Sequence, residues 1–522
     1  MRAGSLAALA AFTLAGPAAS AQSPAAATAI RKPTLGEDLQ MFSQVLNQLR
    51  LNHVDSLDSH TLILAAVEGM IEAADPHSYI LPIARLSAEK AQAWEDGKLV
   101  PVPVAFQFLR GAPVVASVAP TSSAARQDIL VGDELVAADG KPILATSPDE
   151  LSITLSGEKN SVVRLTLSRQ RSDGSRLEVV REVKRQQADE ATAVPIAEMV
   201  DAETGYVRIT TFSNGKVAED LHSAVGRLKS RGMKRLVLDL RDNGGGIVDE
   251  AAHVAGEFLP AGAIVYVAEK KKAEKPDTVT VKRSFWKSED RYPVAVLVND
   301  GTASASELVA GALQDHDRAL IMGRPTFGKS LLMRGFPLVD GSVIMMAFGR
   351  VKTPCGRVVQ REYRQMSRRD YYRQAGAVQD TTGRPSCKTA SGRTVYGGGG
   401  VFPDVLVPER TPLPVWLARI EEQDLPLAWV GGYLTGAALP TLDSLLAARK
   451  PPAGAVASFR QFATGRSATI PTDPESDARL ERMLLGQIVW GKWGEAGFYR
   501  LAATVDPVVG QAAAALARAK AP

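Results

Sequence analysis

Three short apolar segments, separated by patterns of helical period, limit most strongly how this chain can fold. They are Leu236–Leu240, Val294–Val298 and Ala319–Gly323. The first is followed by helical spacing over Val248–Leu259, and the second by helical spacing over Ser306–Leu313. Strands that alternate with helices in this way are typical of βαβ units on a parallel sheet. We therefore predict a parallel-sheet α/β core.

The sequence on either side of this core has a different texture, and 522 residues are enough for several domains. Apolar and polar residues alternate in short segments such as Val162–Leu167, with turns such as Asp139-Gly140, which predicts a β-rich module. Helical spacing prevails before that module and after the core. The prediction is an α/β multidomain protein with a leader over 1–21, a helical region over 22–97, an inserted β-rich module over 98–187, the core over 188–410 and a helical region over 411–522.

The N-terminus has the three parts of an export signal. Arg2 supplies a positive charge, Leu6–Leu14 is an apolar run, and Ala19-Ser20-Ala21 is a small-residue cleavage site. The run is shorter than the roughly 20 residues that span a bilayer, and no later segment is long and apolar enough to do so. We predict an exported, periplasmic protein, soluble after cleavage, without stable membrane insertion. An Ala-rich leader without a targeting role is the alternative.

Composition argues against several kinds of partner. The net charge is +4 and no basic block occurs, so nucleic acid is not an expected partner. None of the six histidines forms a pair with metal-ligand spacing, so no metal and no cofactor are expected. The two cysteines, Cys355 and Cys387, could pair in an oxidising compartment and close a loop of about 30 residues. Spacing alone leaves two free thiols open.

A serine stands where the second predicted strand gives way to a helix. After Val294–Val298 come small residues up to Ser304, and then the helix begins. A hydroxyl at this junction lies near a helix N-terminus, where the helix dipole favours developing negative charge. Ser304 followed by Glu307 is also the pattern of a capping box, so the segment alone fits a helix cap as well as a nucleophile.

Two further segments lead to the same edge of the sheet. The helix after Ser304 is roughly 18 Å long, and Ala319–Gly323 then returns as a parallel strand, which carries Lys329 back toward Ser304. Strand Leu236–Leu240 ends at the same edge and is followed by the glycines Gly244–Gly246. Ligand sites of α/β sheets lie at this edge, and consecutive glycines let backbone amides approach a ligand. A tight turn is the alternative for the glycines.

Lys329 can act as a general base only when it is neutral. Its pKa, ordinarily near 10.4, would have to fall by about 3 units through burial in apolar surroundings. Phe327, Leu331 and Leu332 are apolar neighbours in sequence that could supply such surroundings. An ordinary surface lysine is the alternative.

A histidine base is disfavoured by the same topology. His316 stands at the far end of the helix that starts at Ser304, about 18 Å away. His77 and His253 belong to other segments, and nothing in their spacing ties them to Ser304. We predict structural or surface roles for them.

Several motifs in a fixed order carry a resemblance to a known family. They are Asp75-Pro76-His77-Ser78, Leu238-Asp239-Leu240-Arg241-Asp242-Asn243-Gly244-Gly245-Gly246, Thr302-Ala303-Ser304-Ala305-Ser306-Glu307, Gln314-Asp315, Thr326-Phe327-Gly328-Lys329, Thr353-Pro354-Cys355-Gly356-Arg357 and Pro403-Asp404-Val405. Over most of residues 50–410 the chain resembles the carboxy-terminal processing peptidases, also called tail-specific proteases. The gap of 25 residues from Ser304 to Lys329 is the family's own.

This resemblance implies a Ser/Lys serine endopeptidase with Ser304 as nucleophile and Lys329 as base. It implies an oxyanion hole formed by the amides of Ala305 and Gly245, with Gly244, Gly246 and Glu307 as supporting residues. It also implies that 98–187 is a PDZ-like domain, which captures a C-terminal tail by strand addition. The expected partners are envelope or unfolded polypeptides with exposed C-terminal tails; an adaptor protein and a homo-oligomer stay open.

The chain departs from the family pattern in three places. A glutamine that often orients the lysine is replaced by Met333, and a usual glycine by Ser330. The segment Val104–Phe108, expected to form the carboxylate-binding loop, lacks the usual glycines. Met333 motivates an alternative function, a non-catalytic PDZ-like scaffold on a degenerate protease fold. A hydrolase acting on non-peptide esters is a third, because the same chemistry would serve it.

Overall fold

A computed structural model describes the chain, which divides into two compact units, Met1–Gly69 and Met70–Pro522. The predicted leader over 1–21 lies outside the described residues. Within the described part of the chain, no helix is both long and apolar enough to cross a membrane. The described residues are 33–81, 93, 98–109, 112–118, 122–127, 129–130, 132–143, 148–170, 176–186, 193–213, 215–270, 275–285, 292–339, 342–364, 366–374, 380–407, 414–423 and 425–518.

Two helices open the described chain. Helix α1 covers Leu35–Asn52 and helix α2 covers Ser59–Ala74. Helix α1 begins with a capping box, in which Thr34 and Glu37 each accept a hydrogen bond from the other's backbone amide. After α2 the chain forms the short strand β1, Tyr79–Leu81.

The next segment is β-rich. Its elements are β2 Val104–Leu109, β3 Ala112–Val118, α3 Ser123–Arg126, β4 Glu134–Ala138, β5 Lys141–Pro142, α4 Pro148–Leu155, β6 Val162–Gln170 and β7 Arg176–Lys184. The antiparallel sheet has the order β2-β3-β4-β6-β7, with β5 beside β4. Alternate residues of β6, Val163, Leu165 and Leu167, are buried, which is the period-two pattern of a strand with one covered face. The expectation of a loop at Val104–Phe108 is wrong, because this segment pairs with β3 as strand β2.

A mostly parallel sheet forms the centre of the second unit. Its elements are β8 Ile196–Met199, β9 Thr204–Arg208, α5 Val217–Ser230, β10 Arg235–Asp239, α6 Val248–Ala255, β13 Val294–Val298, α7 Ala305–Asp315, β14 Leu320–Gly323 and β19 Val405–Leu406. The strand order is β19-β14-β13-β10-β9-β8, and only the pair β8–β9 is antiparallel. Every residue of β13 is buried, as expected for a parallel strand covered on both faces. The predicted α/β fold with a parallel-sheet core is confirmed.

A second, antiparallel sheet lies beside the core. Its strands are β1, β11 Ile264–Lys270, β12 Asp277–Thr280, β15 Leu331–Pro337 and β16 Val343–Lys352. The segment 269–282, which carries five lysines, contributes the end of β11 and all of β12, and Lys270 pairs with Asp277 across this hairpin. Along the chain, β16 is followed by α8 Arg368–Arg373 and by the hairpin of β17 Ser386–Lys388 with β18 Thr394–Tyr396, and then by β19.

The C-terminal part is helical and covers one face of the central sheet. Its helices are α9 Val415–Glu422, α10 Leu425–Gly436, α11 Leu442–Ala448, α12 Ala455–Thr464, α13 Pro474–Val505 and α14 Pro507–Arg518. Tyr499 and Val509 pack with Tyr206 and Leu297 on that face. Helices α5, α6 and α7 cover the opposite face.

Candidate active site

Three loops meet at the carboxyl edge of the central sheet. Strands β10, β13 and β14 run parallel in register, so the segments that follow them emerge side by side. The Ala303 amide donates to the Asn243 carbonyl at 3.0 Å, and the Phe327 amide donates to the Thr302 carbonyl at 2.9 Å. The structure therefore brings together the glycine loop, the Ser304 junction and the Lys329 loop, as the topology predicts.

Ser304 stands at the sharp turn between β13 and α7. It is the N-cap residue of α7 and has φ 55° and ψ −119°. A positive φ is unusual for a residue with a side chain and costs about 1–3 kcal/mol, so the surrounding contacts must hold it. The Ser304 amide donates to Glu307 Oε2 at 2.9 Å, which is the Glu307 half of the predicted capping box.

The Glu307 carboxylate joins the serine turn to the lysine loop. Its Oε2 accepts from the amides of Ser304 at 2.9 Å and Lys329 at 2.8 Å. Its Oε1 accepts from the Gly328 amide at 2.7 Å and from the Thr326 hydroxyl. Burial raises the pKa of Glu307 to about 7, while these hydrogen bonds act in the opposite direction. One fully buried side chain thus fixes both backbones.

Lys329 is partly buried beside this carboxylate. Burial lowers the pKa of its amine below the ordinary value, while the negative charges of Glu307 and Asp75 oppose the shift. No hydrogen bond of Lys329 Nζ to another described residue is present. The direction of the pKa shift is the one that a lysine base requires.

The glycine loop lies directly against the serine turn. Gly245 has φ 97°, and a Cβ atom on it would stand 2.8 Å from Ser304 Cβ and 2.9 Å from the Ala305 nitrogen. The buried Asn243 orders the loop, because its Nδ2 donates to the Ile209 carbonyl and its Oδ1 accepts from the Gly245 amide at 3.0 Å. Neither the Gly244 amide nor the Ala305 amide has an acceptor among the described residues.

Gly246 closes the loop against a neighbouring segment. Its φ is 146°, and a Cβ atom there would lie 2.4 Å from the Phe212 carbonyl carbon. The Phe212 amide donates to the Gly245 carbonyl at 2.9 Å, and the Ile247 amide donates to the Phe212 carbonyl at 2.9 Å. Only glycine fits here, and the loop is held as one rigid turn.

An aromatic cluster behind the lysine loop escaped the sequence analysis. It consists of His77, Phe327, Tyr371 and Tyr372, whose ring centroids lie 5.2–6.0 Å apart. The Tyr371 hydroxyl donates to the Gly328 carbonyl at 3.2 Å and lies 3.3 Å from His77 Nε2. Tyr371 follows Lys329 by 42 residues in the sequence, so no local pattern could join them.

The other histidines of interest take structural positions. His316 ends α7, and its Nε2 lies 2.7 Å from the Ile264 carbonyl oxygen, at the opposite end of the helix from Ser304. His253 Nδ1 lies 3.2 Å from Glu250 Oε1.

The far end of α7 is anchored by a buried ion pair next to a disulfide. Asp315 accepts from the Arg357 guanidinium at 2.6 Å and from the Cys355 amide at 3.0 Å. Cys355 and Cys387 are joined in a disulfide. Their sulfur atoms lie close to the Asp315 carboxylate, but bonded to each other they offer no thiolate to a metal ion.

Comparison with known proteins identifies the family of the chain. Residues 203–365 match the sequence model of Peptidase family S41, and residues 114–169 match that of a PDZ domain. The Carboxy-terminal-processing protease of Bartonella bacilliformis is 30% identical over 332 residues, which cover 62% of this chain and 73% of that protein. The chain belongs to the carboxy-terminal-processing protease family.

The chain is also similar to two further proteins. The Carboxyl-terminal-processing protease of Synechocystis sp. is 34% identical over 227 residues, 42% of this chain and 50% of that protein. The solved photosystem II D1 C-terminal processing protease is 25% identical, with a TM-score of 0.36, and the match covers 74% of this chain and 90% of that one. The predicted resemblance is confirmed, and with it membership of a serine peptidase family that carries a PDZ domain.

Proposed function

We propose that the chain is an exported endopeptidase that cuts polypeptides by a Ser/Lys mechanism. Ser304 Oγ attacks the scissile carbonyl while Lys329 Nζ takes up its proton. Lys329 then passes this proton to the leaving amine. The scissile C–N bond breaks, the amine departs, and the acyl group stays bonded to Ser304 Oγ. A water molecule then hydrolyses that bond, with Lys329 again as the base.

The observation that carries this proposal is the shared Glu307 oxygen. Because Oε2 accepts from the amides of both Ser304 and Lys329, the two residues are held on neighbouring backbones. The positive φ of Ser304 and the burial that lowers the pKa of Lys329 add to this support. Neither feature is needed by a helix cap or by a surface lysine.

We assign the oxyanion hole to the Ala305 amide together with an amide of the glycine loop. Gly245 lies closest to the serine turn, but its amide is engaged by Asn243 in this structure. The Gly244 amide has no acceptor among the described residues and is therefore the loop donor that we assign to the hole. Two such donors stabilise the developing negative charge of the tetrahedral intermediate.

We further propose that the PDZ domain delivers exposed C-terminal tails of envelope or unfolded proteins to the site. Strand β2 is the end strand of its sheet and pairs with no second strand among the described residues, so its outer edge could accept an added strand. The segment leading into β2 contains Pro101 and Pro103, which have no amide hydrogen to donate to a tail carboxylate. Recognition would therefore depend on the strand more than on the carboxylate. An adaptor and self-association belong to the same proposal.

Cleavage of an unfolded protein with an apolar C-terminus tests the proposal, with wild type compared to Ser304→Ala and Lys329→Ala. We expect only wild type to cut, with a rate that rises with pH as Lys329 loses its proton. Ser304→Ala should still bind the tail peptide, and amidation of that peptide should weaken binding little. If all three proteins bind the tail and none cuts, the chain is a binding scaffold instead.

A further inference from the structure

The peptide group that joins Gly328 to Lys329 is held from both sides. Its N–H, on Lys329, donates to Glu307 Oε2 at 2.8 Å. Its carbonyl, on Gly328, accepts from the Arg361 amide at 2.9 Å and from the Tyr371 hydroxyl at 3.2 Å. A peptide plane with partners at both ends cannot rotate, and its orientation fixes the direction in which the Lys329 side chain leaves the backbone.

From this geometry we infer that Tyr371 is a positioning residue for the reaction, which orients Lys329 through the Gly328 carbonyl. The inference rests on the proposed role of Lys329 as general base. It answers a question raised by Met333, whose side chain offers no amide to hold the lysine. Lys329 is instead directed by its own backbone.

The surroundings of Tyr371 suit this role. The side chain is fully buried, and burial raises the pKa of its hydroxyl to about 12, so it stays a donor at any working pH. The hydroxyl oxygen accepts from Gln360 Nε2 at 3.1 Å and lies 3.3 Å from His77 Nε2, while its O–H group donates to the Gly328 carbonyl at 3.2 Å. The Arg361 guanidinium lies 4.1 Å from the centre of the Tyr371 ring, which adds a cation–π contact to the packing.

Gln360 ties the same arrangement to the residue on the other side of Lys329. Its Oε1 accepts from the Ser330 amide at 2.8 Å while its Nε2 donates to Tyr371. The backbone is therefore fixed immediately before and immediately after Lys329. Both contacts come from the segment that follows the Thr353–Arg357 motif, far from Lys329 in sequence.

The experiment compares Tyr371→Phe with Tyr372→Phe in steady-state cleavage of the unfolded protein at several pH values. Tyr371→Phe keeps the ring and removes one hydrogen bond, so kcat should fall about tenfold with KM unchanged. In the pH profile of kcat for this variant, the acid limb should move to higher pH. A less constrained Lys329 side chain is better solvated and therefore keeps its proton to higher pH. Tyr372→Phe is the matched control, because the Tyr372 hydroxyl contacts His77 and the Pro76 carbonyl, and it should lower kcat less than Tyr371→Phe and leave the acid limb in place.

A purely structural role for Tyr371 would lower the melting temperature or the active fraction but would leave the acid limb in place, and that result overturns the inference. Equal effects of the two variants overturn it as well. Lys329→Ala separates a failure of this inference from a failure of the proposed mechanism. If Lys329→Ala cuts like wild type, the proposed mechanism is wrong and this inference is wrong with it.

A second variant serves if Tyr371→Phe does not fold. Gln360→Glu keeps an acceptor for the Ser330 amide and draws the Tyr371 proton away from Gly328. It should then show the same shift of the acid limb, and an unshifted limb refutes the inference.

Discussion

The Glu307 side chain shows how one residue can serve both a helix and a site. Its spacing from Ser304 predicts a capping contact, and that contact is present. Its hydrogen bonds to Thr326, Gly328 and Lys329 come from 19 to 22 residues further along the chain. A sequence pattern read within one helix cannot contain them, so the second role became visible only in the folded chain.

Replacement of Glu307 by glutamine should therefore impair the site. The amide has one acceptor oxygen in place of two, so at least one of the loops loses its partner and meets an N–H group instead. We expect kcat to fall at least about tenfold, since the loss of a buried acceptor displaces the backbone of Ser304 or Lys329. Unchanged cleavage kinetics would contradict the assignment of Glu307 as the link between the loops.

The same variant should change how stability depends on pH. The pKa of Glu307 is raised from 4.5 to about 7 in the folded chain. Its contribution is therefore present below pH 4.5 and is lost as the pH rises through 7, by up to about 3 kcal/mol. Glutamine does not titrate, so the advantage of wild type over Glu307→Gln should shrink from pH 5 to pH 8. Urea unfolding at several pH values measures this, and parallel curves for the two proteins would rule it out.

At the scale of elements, the regular segments were the most predictable. The strands of the central sheet are uniformly apolar and the strands of the PDZ domain alternate, so both show their pattern in the sequence. Strand β12 shows no such pattern in the sequence, because its residues 277–280 are mostly polar and half of them are exposed. The segment between Cys355 and Cys387 has no periodicity either, and Tyr371 on α8 acts through contacts that only tertiary structure creates.

The disulfide should stabilise this irregular segment. Cys355 and Cys387 are 32 residues apart and enclose α8 with Tyr371. Closing a loop of that length restricts the unfolded chain by about 3–4 kcal/mol. The double variant Cys355→Ser, Cys387→Ser should therefore unfold at a lower urea concentration. Wild type with a reducing agent should behave like that variant, whereas a reducing agent should leave the variant unchanged. Equal unfolding midpoints with and without reduction of wild type would contradict this.

At the scale of the whole molecule, the C-terminal helices pack against both the sheet of the PDZ domain and the central parallel sheet. Near one end of this region Trp429, Phe459 and Leu480 form a cluster with Val114 of the PDZ domain. Near the other end Tyr499 and Val509 cover the central sheet. The sequence predicts helices over 411–522 but gives no indication of these docking faces, because an apolar stripe does not identify the surface that it will meet.

The junction of α13 and α14 also reaches the loop that carries the glycines. Asp506, between the two helices, pairs with Arg241 at 2.6 Å, and Arg241 also pairs with the buried Asp239 at the end of β10. Both side chains of the Arg241–Asp506 pair are largely buried. Asp506→Asn should therefore lower the free energy of unfolding by about 2 kcal/mol, since it removes a shielded charge partner. Asp443→Asn is a matched control on α11, because Asp443 is 81% exposed in its pair with Arg500 of α13 and should change stability by less than about 0.5 kcal/mol. Equal unfolding midpoints for the two variants would show that the helices cover the sheet without bracing the active-site edge. A loss of stability in Asp506→Asn but not in Asp443→Asn would show that the carboxyl edge of the central sheet depends on the C-terminal helices.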